Sequence, residues 1–262
     1  MFDLRSAKPA RHGPAWTVPL GVLCCQLAAA VPASAQNGPL DLLVRAYPDF
    51  FASHDGKDLV WKDGTRMPVF DGRSDKSFQD RLRHASILDQ LSLRYVKGPL
   101  EKPPGPQEDP GRFRNTAFFD KMYGDCSKGE VERKLATVGW LKKSGGGSVR
   151  ITTVNGVADR LRAVSAELDG LPPELKKFAI PSAGTYNCRV VKDTGARSMH
   201  AWGAAIDLNT TFSDYWLWSP KGPYRNRIPA VIVDIFEKHG FIWGGKWGHF
   251  DTMHFEYRPE LL

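Results

Sequence analysis

The sequence predicts an α+β fold in which helices flank a central antiparallel sheet. Short segments with strand character occur at residues 148–153, 186–191, 203–209, 241–243 and 254–257, whereas residues 157–168 and 228–239 have helical periodicity. These segments do not follow the regular strand–helix–strand alternation of parallel sheets. An antiparallel arrangement is therefore expected.

The individual elements follow from local patterns. Residues 77–95 place apolar side chains among charged ones and predict a helix. In the next predicted helix, Gly170 provides the C-terminal stop after apolar residues at helical spacing, namely Val157, Leu161, Val164 and Leu168. In the last predicted helix, Pro229 fits the first turn and Gly240 ends it.

An N-terminal extension is expected before the main domain. Residues 36–110 are rich in Asp-Gly turn pairs, and the proline-rich stretch 99–110 is typical of a linker or an exposed loop. Residues 111–262 hold most of the predicted strands and helices, so they predict a single domain. The sequence leaves open whether residues 36–98 form a separate lobe.

The first 35 residues predict a secretory signal peptide. A basic start with Arg5, Lys8 and Arg11 precedes a short apolar run at residues 18–31, and an Ala-x-Ala cleavage sequence ends at Ala35. The apolar run is shorter than the about 20 residues that a membrane span usually needs. Cleavage is therefore expected after Ala35, which predicts a periplasmic or secreted protein that keeps no stable membrane anchor.

The charge balance of the chain is mildly basic. Lys and Arg number 36 against 29 Asp and Glu, and the formal net charge is +7. An excess of this size suits the anionic environment of a cell envelope. The sequence contains no dense Lys/Arg run and no interleaved basic–aromatic motif, so nucleic-acid binding is not expected.

Two cysteines, Cys126 and Cys188, follow the predicted cleavage site. In an oxidising envelope compartment they could form one disulfide, and the alternative is a pair of buried thiols. Neither cysteine has a spacing that is typical of a metal site or a nucleophile. The sequence leaves their pairing open.

Two short segments near the C-terminus hold the residues that a catalytic metal site needs. His200 and Asp207 lie in the first segment, which begins at Ser198, and Asp251 and His254 lie in the second. A catalytic zinc site takes three protein ligands from His and carboxylate side chains, and a further carboxylate accepts a proton. This set predicts Zn²⁺ held by His200, Asp207 and His254, with Asp251 as the proton acceptor of a hydrolase.

The spacing of these residues suggests where they lie. His200 and Asp207 are an odd number of residues apart, so one continuous strand would place them on opposite faces. Gly203 lies between them and permits a bend into a strand that carries Asp207. Asp251 and His254 are three residues apart, which suits a turn that leads into the last strand.

The pattern Ser-x-His-x-x-Gly-x-Ala-x-Asp, followed later by an acidic residue three before a histidine, resembles a known enzyme family. This family is the zinc D-Ala-D-Ala carboxypeptidases and L-Ala-D-Glu endopeptidases, the VanY- and VanX-like peptidases of family M15. The resemblance extends over roughly residues 135–257 and is closest to the branch with Asp as the base. Upstream, Gly184-Thr185-Tyr186-Asn187-Cys188-Arg189 is similar to the family's Gly-x-x-x-x-Arg segment.

The resemblance implies the same zinc ligands and the same base, and it adds further roles. Arg189 corresponds to the arginine that stabilises the oxyanion or holds the scissile carbonyl. Ser198 corresponds to a serine that supports the site or the substrate. Trp202 is expected either to line the pocket or simply to pack in the core, and His239 and His249 are interpreted as packed or hydrogen-bonded histidines.

The expected function is that of a monomeric zinc peptidase that hydrolyses peptidoglycan stem peptides through a zinc-activated water. Removal of a terminal D-Ala and cleavage of the L-Ala–D-Glu bond both stay open, because the sequence does not describe the substrate pocket. One alternative is a non-catalytic wall-binding module with a degenerate cleft, and another is a zinc amidase on a different envelope substrate. A binding module has no need for Asp251, so the intact set favours the peptidase.

Overall fold

The computed structural model describes residues 38–192 and 194–262. Its helices are α1 (Pro39–Ala46), α2 (Phe78–Arg83), α3 (Ile87–Gln90), α4 (Thr116–Tyr123), α5 (Val157–Asp169), α6 (Pro173–Lys176) and α7 (Ala230–Lys238). Its strands are β1 (Phe51–His54), β2 (Asp58–Trp61), β3 (Arg66–Pro68), β4 (Leu135–Gly139), β5 (Ser148–Thr152), β6 (Ala205–Asp207), β7 (Phe241–Trp243) and β8 (His254–Tyr257). The signal peptide predicted at residues 1–35 lies outside the described residues.

The α+β class is confirmed, and the described antiparallel strands are divided among three small sheets. The strand orders are β1-β2-β3, β4-β5 and β6-β8-β7, and every pairing is antiparallel. Each strand has only three to five residues, so loops and 3₁₀ turns supply much of the framework. None of the helices in the described part of the chain is long and apolar enough to cross a membrane.

The sheet β6-β8-β7 brings the two predicted site segments together. Its middle strand β8 is buried along its whole length, and its register pairs His254 directly with Asp207 on β6. Helix α7 packs on β8 through Phe236 and Phe255, whose ring centroids stack 3.9 Å apart. The helix and the two strands predicted between residues 228 and 257 are therefore present.

Helix α5 follows its sequence pattern closely. The buried residues on α5 include all four predicted positions, Val157, Leu161, Val164 and Leu168. This apolar stripe packs against β4 and β5, as expected for a helix with one buried face. Gly170 caps the C-terminal end where the sequence predicts a stop.

Aromatic residues of the N-terminal extension contribute to the main hydrophobic core. Tyr47, Phe51 and Trp61 surround Phe118 on α4, with ring centroids 6.3, 5.7 and 5.9 Å from it. The same core cluster continues to Trp202, next to the predicted site. The extension therefore shares its core with the C-terminal part of the chain.

Residues 77–95 form two short helices, α2 and α3, whereas the sequence pattern predicts one helix. Helix α2 ends at His84. Ser86 then caps a new helix, because its side chain accepts a hydrogen bond from the N–H of Asp89 while the Asp89 carboxylate bonds back to Ser86. This capping box starts α3 and interrupts the predicted helix.

Residues 186–191 form a loop, so the strand predicted there is wrong. The N–H of Asn187 donates to the carbonyl of His200 at 3.1 Å, and the N–H of Val191 donates to the carbonyl of Ala196 at 2.7 Å. The segment therefore pairs with residues 196–200 and not with a sheet. Within it, Cys188 forms a disulfide with Cys126, which resolves the pairing that the sequence leaves open.

Candidate metal centre

His200 lies in a 3₁₀ turn, Met199–Trp202, whose two ends are fixed by its neighbours. The side chain of Ser198 caps the start of the turn, where its Oγ accepts a hydrogen bond from the N–H of His200 at 3.3 Å. Gly203 ends the turn with a φ of +63°, in the left-handed region that favours glycine. The bend expected at Gly203 is present, and it leads the chain from His200 into β6.

Three side-chain atoms from the two site segments meet at one point. The Nε2 atom of His200 lies 3.1 Å from Nδ1 of His254 and 3.1 Å from Oδ1 of Asp207. The Nδ1 atom of His254 lies 3.0 Å from the same Oδ1 atom. These atoms form a nearly equilateral triangle at the edge where β6 pairs with β8.

The triangle has the size and the chemistry of a metal site. Zinc–ligand bonds of about 2.0–2.1 Å in tetrahedral geometry separate neighbouring ligand atoms by roughly 3.3 Å. The observed edges of 3.0 to 3.1 Å are close to this separation. Two imidazole nitrogens and one carboxylate oxygen also match the donor types of catalytic zinc sites. His200, Asp207 and His254 could therefore hold one metal ion.

The second ring nitrogen of each histidine has a fixed hydrogen-bond partner. Nδ1 of His200 donates to the backbone carbonyl of Thr185, which leaves Nε2 free of a proton. Nε2 of His254 donates to Oε2 of Glu256 at 2.9 Å, which leaves Nδ1 as the nitrogen that faces Asp207 and His200. In this arrangement one ring nitrogen of each histidine faces the centre of the triangle, where a metal ion can replace a proton on it.

Electrostatic interactions within the triangle shift the pKa values of Asp207 and His254 in opposite directions. Burial by itself would raise the pKa of Asp207, but the imidazoles of His200 and His254 hold that pKa well below its usual range. Burial lowers the pKa of His254, but the carboxylates of Asp207 and Glu256 outweigh this effect and raise it to about 9. The negative charge of Asp207 and the positive charge of His254 therefore stabilise each other.

Asp251, the predicted proton acceptor, lies in the turn before β8. Its Oδ1 atom is buried and has no hydrogen-bond partner among the residues that the structure describes. Burial and the nearby carboxylate of Asp207 raise the pKa of Asp251 to about 6. Gly244 permits the close approach of this turn, because a Cβ atom there would lie only 2.6 Å from the Asp251 carbonyl.

A cavity of about 220 Å³ opens beside the triangle. Its lining includes five of the predicted site residues, namely Arg189, Ser198, Asp207, Asp251 and His254. His200 is buried and reaches the centre through its ring nitrogen. The fold therefore brings together the residues that the two sequence segments single out.

Arg189 and Trp202 occupy different positions relative to the cavity. Arg189 is exposed on the cavity wall, one residue after the disulfide-bonded Cys188. Trp202 is fully buried and is not part of the cavity lining. Its indole N–H donates to Asp120 at 2.8 Å, and its ring packs 4.9 Å from Phe119. Of the two options for Trp202, packing in the core is the one that the structure shows.

Several residues of the cavity wall, and the fully buried Asp109 behind it, were not found from the sequence. Asp109, at the buried end of the predicted linker, accepts hydrogen bonds from Nδ1 of His249 and from Arg112, each at 2.7 Å. The wall residues among them are Arg112, Arg114, Tyr215, Trp216 and Trp218. No local pattern marks these positions, because they reach the site only through folding. His249 is hydrogen-bonded as interpreted, and it also lines the cavity.

Glu256 is the one missed residue for which the sequence did contain an indication. It lies two residues after His254 on β8 and therefore on the same face of the strand. A carboxylate at this spacing can reach the outer nitrogen of a ligating histidine.

Residues 192–257 match the sequence profile of a peptidase family described as D-alanyl-D-alanine carboxypeptidase. The matched segment contains His200, Asp207, Asp251 and His254 and begins after Arg189. The match confirms the resemblance to the VanY-like peptidases of family M15 and indicates a peptidase. Comparisons with curated proteins and with solved structures gave no significant match.

Proposed function

From the family match of residues 192–257, we propose that the chain is a zinc-dependent peptidase that removes D-alanine from peptidoglycan stem peptides outside the cytoplasm. The observation that carries this proposal is the triangle of His200, Asp207 and His254 with Asp251 beside it in one cavity. The description of the matched family favours D-Ala removal over cleavage of the L-Ala–D-Glu bond.

The three residues of the triangle would hold the metal through Nε2 of His200, Oδ1 of Asp207 and Nδ1 of His254. When bound, zinc supplies Lewis-acid polarisation of the scissile carbonyl and lowers the pKa of water toward 7. The hydrogen bonds from the outer ring nitrogens to Thr185 and Glu256 hold both imidazoles in the orientation that this role needs.

Asp251 would move the proton in the reaction. Its buried Oδ1 atom has no partner within the described part of the chain, so it can accept a proton from the attacking water. The same oxygen can then deliver that proton to the departing amine. A carboxylate oxygen that is buried beside a candidate metal site and has no hydrogen-bond partner among the described residues is expected of a general base, which supports catalysis over a wall-binding module.

Arg189 and the aromatic wall would bind and orient the peptide. The guanidinium of Arg189 lies on the exposed rim of the cavity, where it can donate hydrogen bonds to the carbonyl oxygen as negative charge develops. Trp216 and Trp247 line the same cavity and would exclude water from the reacting bond.

The proposal can be tested by measuring the metal content of the purified mature protein together with its products from defined muropeptides. One zinc per chain and a release of D-Ala that a chelator abolishes would support it. Products that end at L-Ala and begin at D-Glu would instead establish an endopeptidase. Neither metal nor cleavage would contradict the catalytic proposal and would leave a binding module as the remaining function.

Two substitutions separate the roles of base and ligand. Asp251→Asn should lower kcat by about 10²–10⁴-fold while the zinc content stays at one per chain. His200→Ala should lose the zinc itself. His239→Ala is a suitable control, because His239 pairs with Glu167 and is not among the residues that line the cavity. Loss of zinc from Asp251→Asn would contradict the assignment of Asp251 as the base.

A further inference from the structure

We infer that Glu256 is a positioning residue for the metal ligand His254, and that Arg114 makes the N-terminal half of the chain part of the metal centre. The inference rests on the proposed function, because it assumes that His254 ligates a metal ion. It goes beyond the family match, since Arg114 lies far outside residues 192–257.

The first step is the contact between Glu256 and His254. Oε2 of Glu256 lies 2.9 Å from Nε2 of His254, and Glu256 has no exposed surface. This acceptor keeps the ring proton on Nε2 and leaves Nδ1 to face Asp207 and His200. If the acceptor were lost, the proton could move to Nδ1, where it would block the ligand atom.

The second step is the charge balance that keeps Glu256 in place. A carboxylate without solvent contact is costly unless cations and hydrogen bonds compensate it. Arg114 donates to Oε2 of Glu256, and Nη1 of Arg258 donates to Oε1 at 3.1 Å. Both arginines are buried beside Glu256, so their guanidinium groups compensate its negative charge.

The third step is the extension of this network away from the site. Nε of Arg258 donates to Oε1 of Glu260 at 2.6 Å, and the hydroxyl of Tyr47 donates to Oε2 of Glu260 at 2.6 Å. Nη1 of Arg258 also donates to the carbonyl of Gly111 at 2.7 Å. Two arginines and two glutamates thus form a balanced buried network between the metal ligand and the residue that follows α1.

A network of this kind could also serve stability alone, so the test must separate the two roles. In the full chain, Glu256→Gln should raise the dissociation constant for Zn²⁺ by about 10–100-fold, measured by competition with a chromophoric chelator. Arg114→Leu should change it in the same direction, and Arg114→Lys should restore part of the affinity.

Tyr47→Phe is the matched control for these variants. It removes a hydrogen bond from the same network but leaves the contact between Glu256 and His254 intact. It should lower the thermal unfolding midpoint and leave the zinc affinity within about twofold of the wild type, because the hydrogen bond that His254 itself makes to Glu256 stays in place. An equal loss of affinity in Tyr47→Phe would show that the network acts through stability alone and would overturn the inference.

The tautomer of His254 provides a readout that does not depend on the variants folding. Long-range ¹H–¹⁵N spectra of the zinc-loaded wild-type protein should show the proton on Nε2 of His254 and the metal on Nδ1. A proton on Nδ1, with Nε2 as the ligand atom, would overturn the inference. Unchanged zinc affinity in a folded Glu256→Gln variant would also overturn it and leave the proposed function standing, whereas a wild-type protein that binds no zinc would contradict the proposed function itself.

Discussion

Gly203 shows how one residue determines the position of a predicted ligand. It ends the 3₁₀ turn that carries His200, and its φ of +63° places it in the left-handed region. A Cβ atom at this position would also lie 2.7 Å from Cδ2 of Leu135. The backbone conformation and the packing therefore both require glycine here.

Gly203→Ala should destabilise the protein more than a substitution that changes the backbone preference alone. The left-handed conformation costs a non-glycine residue about 1–2 kcal/mol, and displacement of Leu135 adds to this cost. Gly145→Ala is the matched control, because Gly145 also caps a 3₁₀ turn, at a φ of +77°, and has open space around its Cβ position. Urea unfolding of both variants measures the difference, and equal losses would show that the contact with Leu135 has no effect.

Asp109 is a buried residue whose charge state should be visible in the acid stability of the protein. Burial by itself would raise its pKa, but the hydrogen bonds from His249 and the charge of Arg112 lower the pKa below its ordinary value. A carboxyl group with a lowered pKa in the folded state stabilises the protein above its unfolded pKa of about 4. This contribution is lost as the pH falls through the folded-state pKa.

Asp109→Asn should therefore destabilise the protein by about 2–3 kcal/mol at pH 7 and by less at pH 3. At the lower pH the wild type has begun to lose the same interaction, so the two proteins converge. Urea unfolding at several pH values between 7 and 3 checks this expectation. A difference that stays constant over the whole range would mean that the carboxylate charge contributes nothing to stability.

At the scale of elements, the loop that carries Arg189 depends on a covalent link. The disulfide Cys126–Cys188 joins this loop to the 3₁₀ turn Cys126–Lys128 across 62 residues of sequence. The N–H of Ser198 also donates to the Arg189 carbonyl at 3.3 Å. By contrast, Asp207 and His254 are held by the paired strands β6 and β8. The paired strands therefore support two of the predicted ligands, whereas the disulfide supports Arg189.

Replacement of both cysteines by alanine should show whether the disulfide supports Arg189 alone or also the predicted metal ligands. A disulfide that closes a loop of this length stabilises the folded state by about 4 kcal/mol in the chain-entropy model. The variant should therefore unfold at lower denaturant concentration and lose kcat, because Arg189 is no longer held at the cavity rim. Its zinc content should remain at one per chain. Loss of zinc together with kcat would show that the disulfide also supports the metal ligands.

At the scale of the whole molecule, the N-terminal extension and the predicted catalytic region share one hydrophobic core. Leu43, Tyr47, Phe51 and Trp61 are each at most 3% exposed and belong to the same cluster as the residues around the site. Burial of four such side chains contributes on the order of 10 kcal/mol. This amount is comparable to the whole stability of a typical protein.

A fragment that begins at residue 111 should therefore lack a cooperative unfolding transition, whereas a chain that begins at residue 36 should have one. Thermal unfolding followed by near-ultraviolet circular dichroism compares the two proteins directly. A fragment that unfolds cooperatively and binds zinc would show that the predicted boundary at residue 110 separates autonomous domains.

The sequence alone determined which residues are candidates for the site and much of the local structure around them. His200, Asp207, Asp251 and His254 were found because their spacing within two short segments is specific, and these segments lie on neighbouring strands. Helix α5 was found because one buried face repeats at helical spacing. These patterns involve residues that are close together along the chain, so periodicity and motif spacing can reveal them.

The tertiary structure alone decided which partners surround these residues. Arg114 and Glu256 are 142 residues apart, and Asp109 and His249 are 140 apart, so no local pattern relates them. The strand predicted at residues 186–191 is wrong because the hydrogen bonds of this segment go to Ala196 and His200 and not to a sheet. Buried charges need partners wherever packing can supply them, and packing brings together residues that the sequence keeps far apart.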